Sequence, residues 1–160
     1  MPNNLLQKAR ELRMKAYHDM LLLDGQNAAY LDDQQALWNW TDQTIDALFA
    51  VTGRTPEEEG EYCLSILVGL NIGIRHDDKV HRAVQRAEHV LPRISDDKLR
   101  CHLLVYLYAE TEDEALQADI CRLMDQWPAD TLTQEDHYLQ QVFQTIEETT
   151  PYGILMESSL

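Results

Sequence analysis

Residues 55–74 read TPEEEGEYCLSILVGLNIGI, and this stretch determines the fold more than any other part of the chain. Thr55 supplies a hydroxyl for a helix N-cap, Pro56 suits the first helical position, and Glu58 stands three residues after the cap. From Tyr62 to Ile74 no residue is charged, so a helix here is apolar on every face. Such a helix has to be covered on all sides, which predicts a central helix surrounded by others.

Small residues recur every four positions along this central helix, at Ser65, Gly69 and Gly73. Residues four apart lie on one helix face, so a neighbouring helix can approach closely there. Each glycine destabilises a helix by about 1 kcal/mol relative to alanine, and close packing must offset this. For the amide of Asn71 we expect a structural hydrogen bond to a neighbouring helix end, with a functional contact as the alternative.

Helical periodicity extends outward from this segment in both directions, and the sequence has no alternating strand patterns. Caps, glycines and prolines divide it into about seven helices joined by short links, which favours antiparallel helical hairpins. We predict an all-α, single-domain bundle over residues 1–149, followed by a loose C-terminal tail at 150–160. The predicted helices are Asn4–Leu23, Ala28–Thr52, the central helix capped by Thr55, Asp78–Leu91, a fifth capped by Ser95, a sixth opened by the capping box Thr111–Glu114 and ending at Trp127 before Pro128, and a seventh capped by Thr133.

The charge balance is strongly acidic, with 28 acidic residues against 13 lysines and arginines and a formal net charge of -15. Nucleic acids and anionic membranes are bound through clustered lysine and arginine, which are few and scattered here. An acidic exterior favours solubility and attracts basic partners. The composition therefore favours a protein partner and disfavours direct binding to nucleic acid or a membrane.

The three cysteines, Cys63, Cys101 and Cys121, are far apart in sequence and form no C-x-x-C pair. Each lies among apolar residues of a helical pattern, which predicts free, buried thiols in a reducing compartment. The segment Met1–Arg13 is polar and charged, unlike a signal peptide, and the apolar run of the central helix is shorter than the roughly 20 residues of a transmembrane helix. We therefore expect a cytoplasmic protein.

Catalytic signatures are missing from the sequence, which has no phosphate-binding loop, dinucleotide fingerprint or nucleophile elbow. No two histidines have the i, i+4 spacing that places two metal ligands on one helix face. A loop site at His76, Asp77, Asp78 and His81 is the nearest alternative, but a solvated turn explains these residues better. We predict no catalytic residue, no metal site and no cofactor, and a protein that is not an enzyme.

Two acidic clusters, one at the start of the central helix and one between the fifth and sixth helices, are candidate partner-binding sites. Each has two interpretations: charges that match the positive end of a helix dipole, or an acidic patch for a basic partner. The two tyrosines before the second cluster are either core-edge residues or part of a binding cage. The candidate residues are Glu57, Glu58, Glu61, Glu110, Glu112, Asp113, Glu114, Tyr106 and Tyr108.

Three segments, in their order and spacing, resemble the UpxZ family: Ala16–His18, Thr55–Asn71 and Leu103–Glu110. The resemblance covers about residues 4–150. It implies a regulator that inhibits UpxY antitermination factors, which are relatives of the elongation factor NusG, in capsular polysaccharide loci. It assigns no functional residue of the family to a position in this chain.

Two other functions stay open from the residues themselves. The first is a scaffold or oligomerisation module that self-associates through the face of Ser65, Gly69 and Gly73 or through Trp38 and Trp40. The second is a metal-dependent helical-bundle enzyme with histidine and glutamate ligands. The sequence specifies neither the oligomeric state nor the face that binds a partner.

Overall fold

The structure, a computed structural model, describes residues 3–25, 28–72 and 77–149. These residues form seven α-helices and two short 3-10 turns, and none of them forms a strand, which confirms the all-α prediction. The predicted C-terminal tail at 150–160 lies outside the described residues. The helices are α1 Asn3–Gly25, α2 Ala28–Phe49, α3 Pro56–Ile72, α4 Asp77–Val90, α5 Asp97–Thr111, α6 Glu114–Asp125 and α7 Gln134–Thr149, and the 3-10 turns are Leu91–Arg93 and Ala129–Thr131.

Two buried helices form the centre of the fold. α3 contacts α1, α2, α4 and α5, and every residue from Tyr62 to Leu70 is buried, as the charge-free run predicts. α5 contacts α3, α4, α6 and α7, and every residue from Cys101 to Tyr108 is buried. The other described helices pack around this pair.

The small residues of α3 face α1 and α2. Ser65 is fully buried, and a Cβ atom added to Gly69 would lie 3.0 Å from Cδ1 of Ile45 and 3.1 Å from Cδ2 of Leu12. Helices of the same chain therefore fill this face, and self-association through it does not fit the packing. Gly73 and the side chain of Asn71 lie outside the described part of the chain.

The tryptophans of the other proposed self-interface are not free at the surface. Trp38 and Trp40 are both half-buried on α2. The ammonium group of Lys15 lies 4.2 Å from the centroid of the Trp40 ring, a cation–π contact between α1 and α2. Trp40 therefore contributes to packing between two helices of this chain.

Two predicted N-caps are confirmed. At the start of α3, the N–H of Glu58 donates to the Thr55 hydroxyl at 3.1 Å. At the start of α7, the N–H of Asp136 donates to the Thr133 hydroxyl at 3.1 Å, and the N–H of Thr133 donates to the Asp136 carboxylate at 3.0 Å. This reciprocal pair is a capping box with aspartate in place of glutamate.

The predicted cap of α5 is wrong by one residue. Asp96, not Ser95, is the N-cap, and its carboxylate accepts from the N–H groups of Lys98 and Leu99. The Ser95 hydroxyl instead donates to the carboxylate of Glu57 at 2.9 Å. A tertiary contact therefore engages the residue that the local pattern assigned to the cap.

The predicted capping box of α6 is also wrong. Thr111 belongs to the last turn of α5, where its hydroxyl donates to the Leu107 carbonyl at 2.8 Å. Glu112 follows in a left-handed conformation with φ of 56° and ends α5. Asp113 then caps α6 by accepting from the N–H of Ala115 at 3.0 Å.

Helix ends and one cysteine differ from the predictions as well. α2 ends at Phe49 instead of Thr52, and α6 ends at Asp125 instead of Trp127. Cys63 and Cys101 are buried free thiols, but Cys121 is exposed, because it lies on the outer face of α6. In the described ranges, no helix combines the length and apolar character needed to cross a membrane.

Candidate functional site

The acidic start of α3 is bound within the chain. The carboxylate of Glu61 accepts hydrogen bonds from Arg10 at 2.6 Å and from Arg13 at 3.1 Å, both on α1. Burial would raise the pKa of the Glu61 carboxyl, but the hydrogen bonds and charges of the two arginines outweigh burial and hold the pKa below its ordinary value. Glu61, a candidate for partner binding, here joins α3 to α1.

Arg13 is the centre of a buried polar network that the sequence did not reveal. Its side chain is 6% exposed. Its Nε donates to Glu135 of α7 at 2.8 Å, and its Nη1 donates to the Ser65 hydroxyl at 2.9 Å. The Ser65 hydroxyl donates in turn to the Ala9 carbonyl at 2.7 Å. The network therefore ties α1, α3 and α7 together.

A second ion pair fixes α3 to α4. Arg86 donates to both carboxylate oxygens of Glu59, at 2.5 and 2.7 Å. Arg86 also donates to the carbonyls of Leu48 and Val51, at 2.9 and 2.7 Å, at the end of α2. Burial would raise the pKa of Glu59, but Arg86 and the N–H of Gly53 stabilise its charged form and leave the pKa below its ordinary value. Arg86 and Glu59 thus hold the connection between α2 and α3 in place.

The remaining two candidates at the start of α3 are also hydrogen-bonded inside the chain. Glu57 accepts from the N–H and the hydroxyl of Ser95, both at 2.9 Å. Glu58 accepts from the Tyr62 hydroxyl at 2.7 Å. Burial, and then the bond to Glu58, raise the pKa of Tyr62 to about 12. All three candidates of this cluster therefore have intramolecular partners.

The α5–α6 corner, defined as Glu110, Glu112, Asp113 and Glu114, is the candidate cluster that lies at the surface. Glu112, Asp113 and Glu114 are exposed, and Glu110 is half-buried. The left-handed residue Glu112 turns the chain sharply between two helices, so that successive carboxylates project from a short connection. The corner therefore presents a compact group of negative charge to solvent.

The two candidate tyrosines do not belong to this surface. Tyr106 and Tyr108 are 4% and 3% exposed and lie in the core of the fold. The Tyr108 hydroxyl donates to Glu147 of α7 at 3.1 Å, and burial together with this carboxylate raises the pKa of Tyr108 to about 12. The structure thus separates the rings from the acidic residues that follow them in sequence.

A buried cluster around Asp136 connects α5 and α7. Asp136 accepts from Lys98 at 2.8 Å and lies 2.9 Å from Nε2 of His102, whose ring stacks with Trp127 at a centroid distance of 6.0 Å. Burial would raise the pKa of Asp136, but His102, Lys98 and the N–H of Thr133 hold it well below its ordinary value. Lys98 and His102 are one helical turn apart, but this spacing does not indicate that their partner is Asp136, 34 residues from His102, and the sequence analysis missed the cluster.

The ion pairs of Arg13, Arg86 and Lys98 each join helices of the described chain to one another. Among residues 3–25, 28–72 and 77–149, no three His, Cys, Asp or Glu side chains are grouped so that they could hold a metal ion. Of the alternative loop site, His76 lies outside these ranges and His81 is exposed on α4. Glu112 and Glu114 of the α5–α6 corner are exposed and take no part in the ion pairs described above, so they can contact a second molecule, and their charge suits a basic protein surface.

Comparisons with known proteins identify relatives of the chain. A family model described as the UpxZ family of transcription anti-terminator antagonists matches residues 9–109, more than half of the chain. The crystal structure of a transcription anti-terminator antagonist UpxZ from Bacteroides uniformis is similar, with a TM-score of 0.72 and 26% sequence identity over 92% of this chain and 94% of that chain. A comparison with curated proteins gave no significant match. The family resemblance drawn from the three sequence segments is confirmed.

Proposed function

The chain belongs to the UpxZ family of transcription anti-terminator antagonists, and from this membership we propose that it binds and inhibits a NusG-like antitermination factor of the UpxY type. The factor would act on capsular polysaccharide operons, and the complex would form in the cytoplasm, where transcription takes place. The observation that carries the proposal is the family match over residues 9–109. The family is a regulatory one, and the chain would act by binding, without catalysis.

The charge distribution supports a basic partner. Much of the positive charge is engaged internally, because Arg13, Arg86 and Lys98 pair with carboxylates of the same chain. The acidic residues outnumber the basic ones, so the exposed surface is left with most of the net charge of -15. Complementary charge raises the rate of association and orients the partner. We propose that the α5–α6 corner is part of the surface that meets the factor.

Binding can be measured with a purified UpxY-type factor from a capsular polysaccharide locus immobilised on a sensor surface. The informative variant is the double charge reversal Glu112→Lys with Glu114→Lys, which leaves the capping residue Asp113 in place. The matched control is Glu88→Lys with Asp130→Lys, because both residues are exposed and lie on other elements. The two variants change the net charge equally.

We expect the corner variant to bind more weakly than the control at low salt, and the difference to shrink as salt screens the exposed charges. The same order should appear in an in vitro transcription assay, where the control suppresses antitermination and the corner variant does not. Equal binding of both variants would remove the corner from the interface. No binding of the unmodified chain to any UpxY-type factor would refute the proposed function itself.

A further inference from the structure

A groove of about 350 Å³ opens at the surface between the end of α2 and the face of α4. Phe49 and Val51 form its apolar side, and Arg82, Arg86 and His89 line it from α4. Val51 is 37% exposed, and it is one of two large apolar side chains that are exposed in the described ranges. The volume lies at the lower end of ligand-binding pockets and accommodates one or two side chains.

The groove is positively charged in a chain that is strongly negative. Arg82, Arg86 and His89 are spaced four and three residues apart, so they share one face of α4. The charge of Arg86 is matched by Glu59, which also lines the groove. Arg82 is exposed, and no ion pair of its guanidinium occurs among the described residues. Its positive charge is therefore available to a ligand.

Arg82 is already held in position by the apolar side of the groove. Its guanidinium carbon lies 4.5 Å from the centroid of the Phe49 ring, a cation–π contact. A guanidinium that lies over an aromatic ring keeps its N–H groups free to bind a carboxylate. A side chain that is ordered before binding loses less conformational entropy when the ligand arrives.

The carboxylates of α4 form no ion pair with Arg82 among the described residues. Asp78 is one turn before Arg82 and shares its helix face, but, like Asp77, it is in the first turn, where it interacts with the positive end of the helix dipole. Glu88 is two residues from Arg86 and therefore points to a different face. Exposed charges more than about 8 Å away are largely screened at physiological ionic strength, so the net charge of -15 does not prevent an acidic ligand from reaching the groove.

We propose that this groove binds an acidic segment of a partner protein, with one apolar side chain against Phe49 and Val51 and a neighbouring carboxylate on Arg82 and His89. Charge complementarity selects this occupant. The exposed Val51 beside a partly buried aromatic ring provides the apolar contact, and the guanidinium provides a charge-assisted hydrogen bond. Nucleic acid is disfavoured because it requires an extended row of lysines and arginines. The groove is separate from the α5–α6 corner, which suits a basic surface, so it does not depend on the proposed antitermination role.

The test uses the full chain and a short dye-labelled peptide in which glutamates surround a single phenylalanine. Fluorescence anisotropy measures its affinity beside two control peptides, one with lysine in place of glutamate and one with alanine in place of phenylalanine. Arg82→Glu reverses the cation in the groove. Arg93→Glu makes the same charge change on an exposed residue of the following 3-10 turn, outside the groove lining, and serves as the matched control.

We expect the glutamate–phenylalanine peptide to bind to the unmodified chain. Arg82→Glu should lower the affinity about tenfold or more, because the loss of one charge-assisted hydrogen bond has roughly that effect. Arg93→Glu should change the affinity by less than about twofold. Val51→Ser should weaken the phenylalanine peptide but not its alanine counterpart. Amide shift mapping should place the changes at residues 49–52 and 82–89. Circular dichroism verifies that each variant is folded.

Several results would overturn the proposal. These are an absence of binding, equal losses in Arg82→Glu and Arg93→Glu, tighter binding of the lysine peptide, or tighter binding of a single-stranded oligonucleotide. Light scattering adds one more: a concentration-dependent dimer that Arg82→Glu abolishes would make a second copy of this chain the occupant. The groove test contains no antitermination factor, so a negative result would not affect the proposed function. A negative result in the binding test with the antitermination factor would likewise not affect the groove proposal.

Discussion

Arg10 and Arg13 offer a matched comparison of an exposed and a buried ion pair. They are nearly one turn apart on α1, and both donate to the carboxylate of Glu61. Their side chains are 57% and 6% exposed, respectively. Replacing each with methionine removes the charge and keeps an unbranched apolar stem of similar length. The two variants therefore measure the same chemical change in two environments.

The expected magnitudes follow from burial. Removing one partner of a fully buried pair costs about 3–5 kcal/mol, because it leaves an uncompensated charge. Glu61 and Glu135 are 17% and 22% exposed, so water and Arg10 offset part of that penalty, and we expect Arg13→Met to cost about 2–3 kcal/mol. Exposed pairs contribute about 0–1 kcal/mol, which is the expected cost of Arg10→Met.

Urea unfolding followed by circular dichroism gives the free energies directly. For a chain of this size each kcal/mol corresponds to about 2–4 °C, so Arg13→Met should lower Tm by about 4–12 °C. A cycle with Glu61→Gln should show coupling for Arg13 that exceeds the coupling for Arg10. Equal costs for the two arginines, or a gain in stability from Arg13→Met, would refute the argument that this buried charge organises α1, α3 and α7.

Three further predictions concern pH, a glycine and the thiols. Glu61 and Asp136 have lower pKa values in the folded chain than in the unfolded chain, so their charged forms stabilise the fold above about pH 4. This stabilisation is lost as the pH falls through the folded pKa values. The urea concentration at the unfolding midpoint, measured at a series of acidic pH values, should therefore decrease. At Gly53 an added Cβ would lie 2.2 Å from the backbone nitrogen of Glu59, so Gly53→Ala should cost more than about 2 kcal/mol in thermal melts. Exposed Cys121 should react with a thiol reagent in the folded protein, and the two buried cysteines only after unfolding.

The central helix could be predicted because its signals are local. A charge-free run from Tyr62 to Ile74, preceded by Thr55 and Pro56, needs no knowledge of the remaining chain to indicate a buried helix. The starts of α5 and α6 were misplaced because two possible capping residues are close together at each. A hydrogen bond from Ser95 to Glu57, 38 residues away, decides one of these starts, and local patterns carry no information about it.

The polar networks were missed for a related reason. With 28 acidic and 13 basic residues, spacing alone cannot assign partners that are far apart in sequence. Arg13 lies on the buried face that Ala9, Leu12 and Ala16 form on α1, but its partner Glu135 is 122 residues away, and the sequence does not connect the two. For the same reason the sequence analysis treated Glu57, Glu58 and Glu61 as a possible external patch. A sequence does not distinguish an exposed carboxylate from one that is paired with a distant residue of the same chain.

α7 lies beyond the family-matched residues, yet its carboxylates complete polar groups within them. Glu135 binds Arg13, Asp136 binds Lys98 and His102, and Glu147 accepts from the Tyr108 hydroxyl. Buried cations without partners are costly, so the matched segment requires α7 for its stability. The similarity to the solved UpxZ structure extends over 92% of the chain, well beyond residue 109.

Glu147 also accepts from Gln117 of α6, so one side chain of α7 contacts the helices on both sides of the α5–α6 corner. If the corner meets the antitermination factor, its orientation depends on α7, and a change that releases α7 should weaken inhibition without altering any residue at the interface.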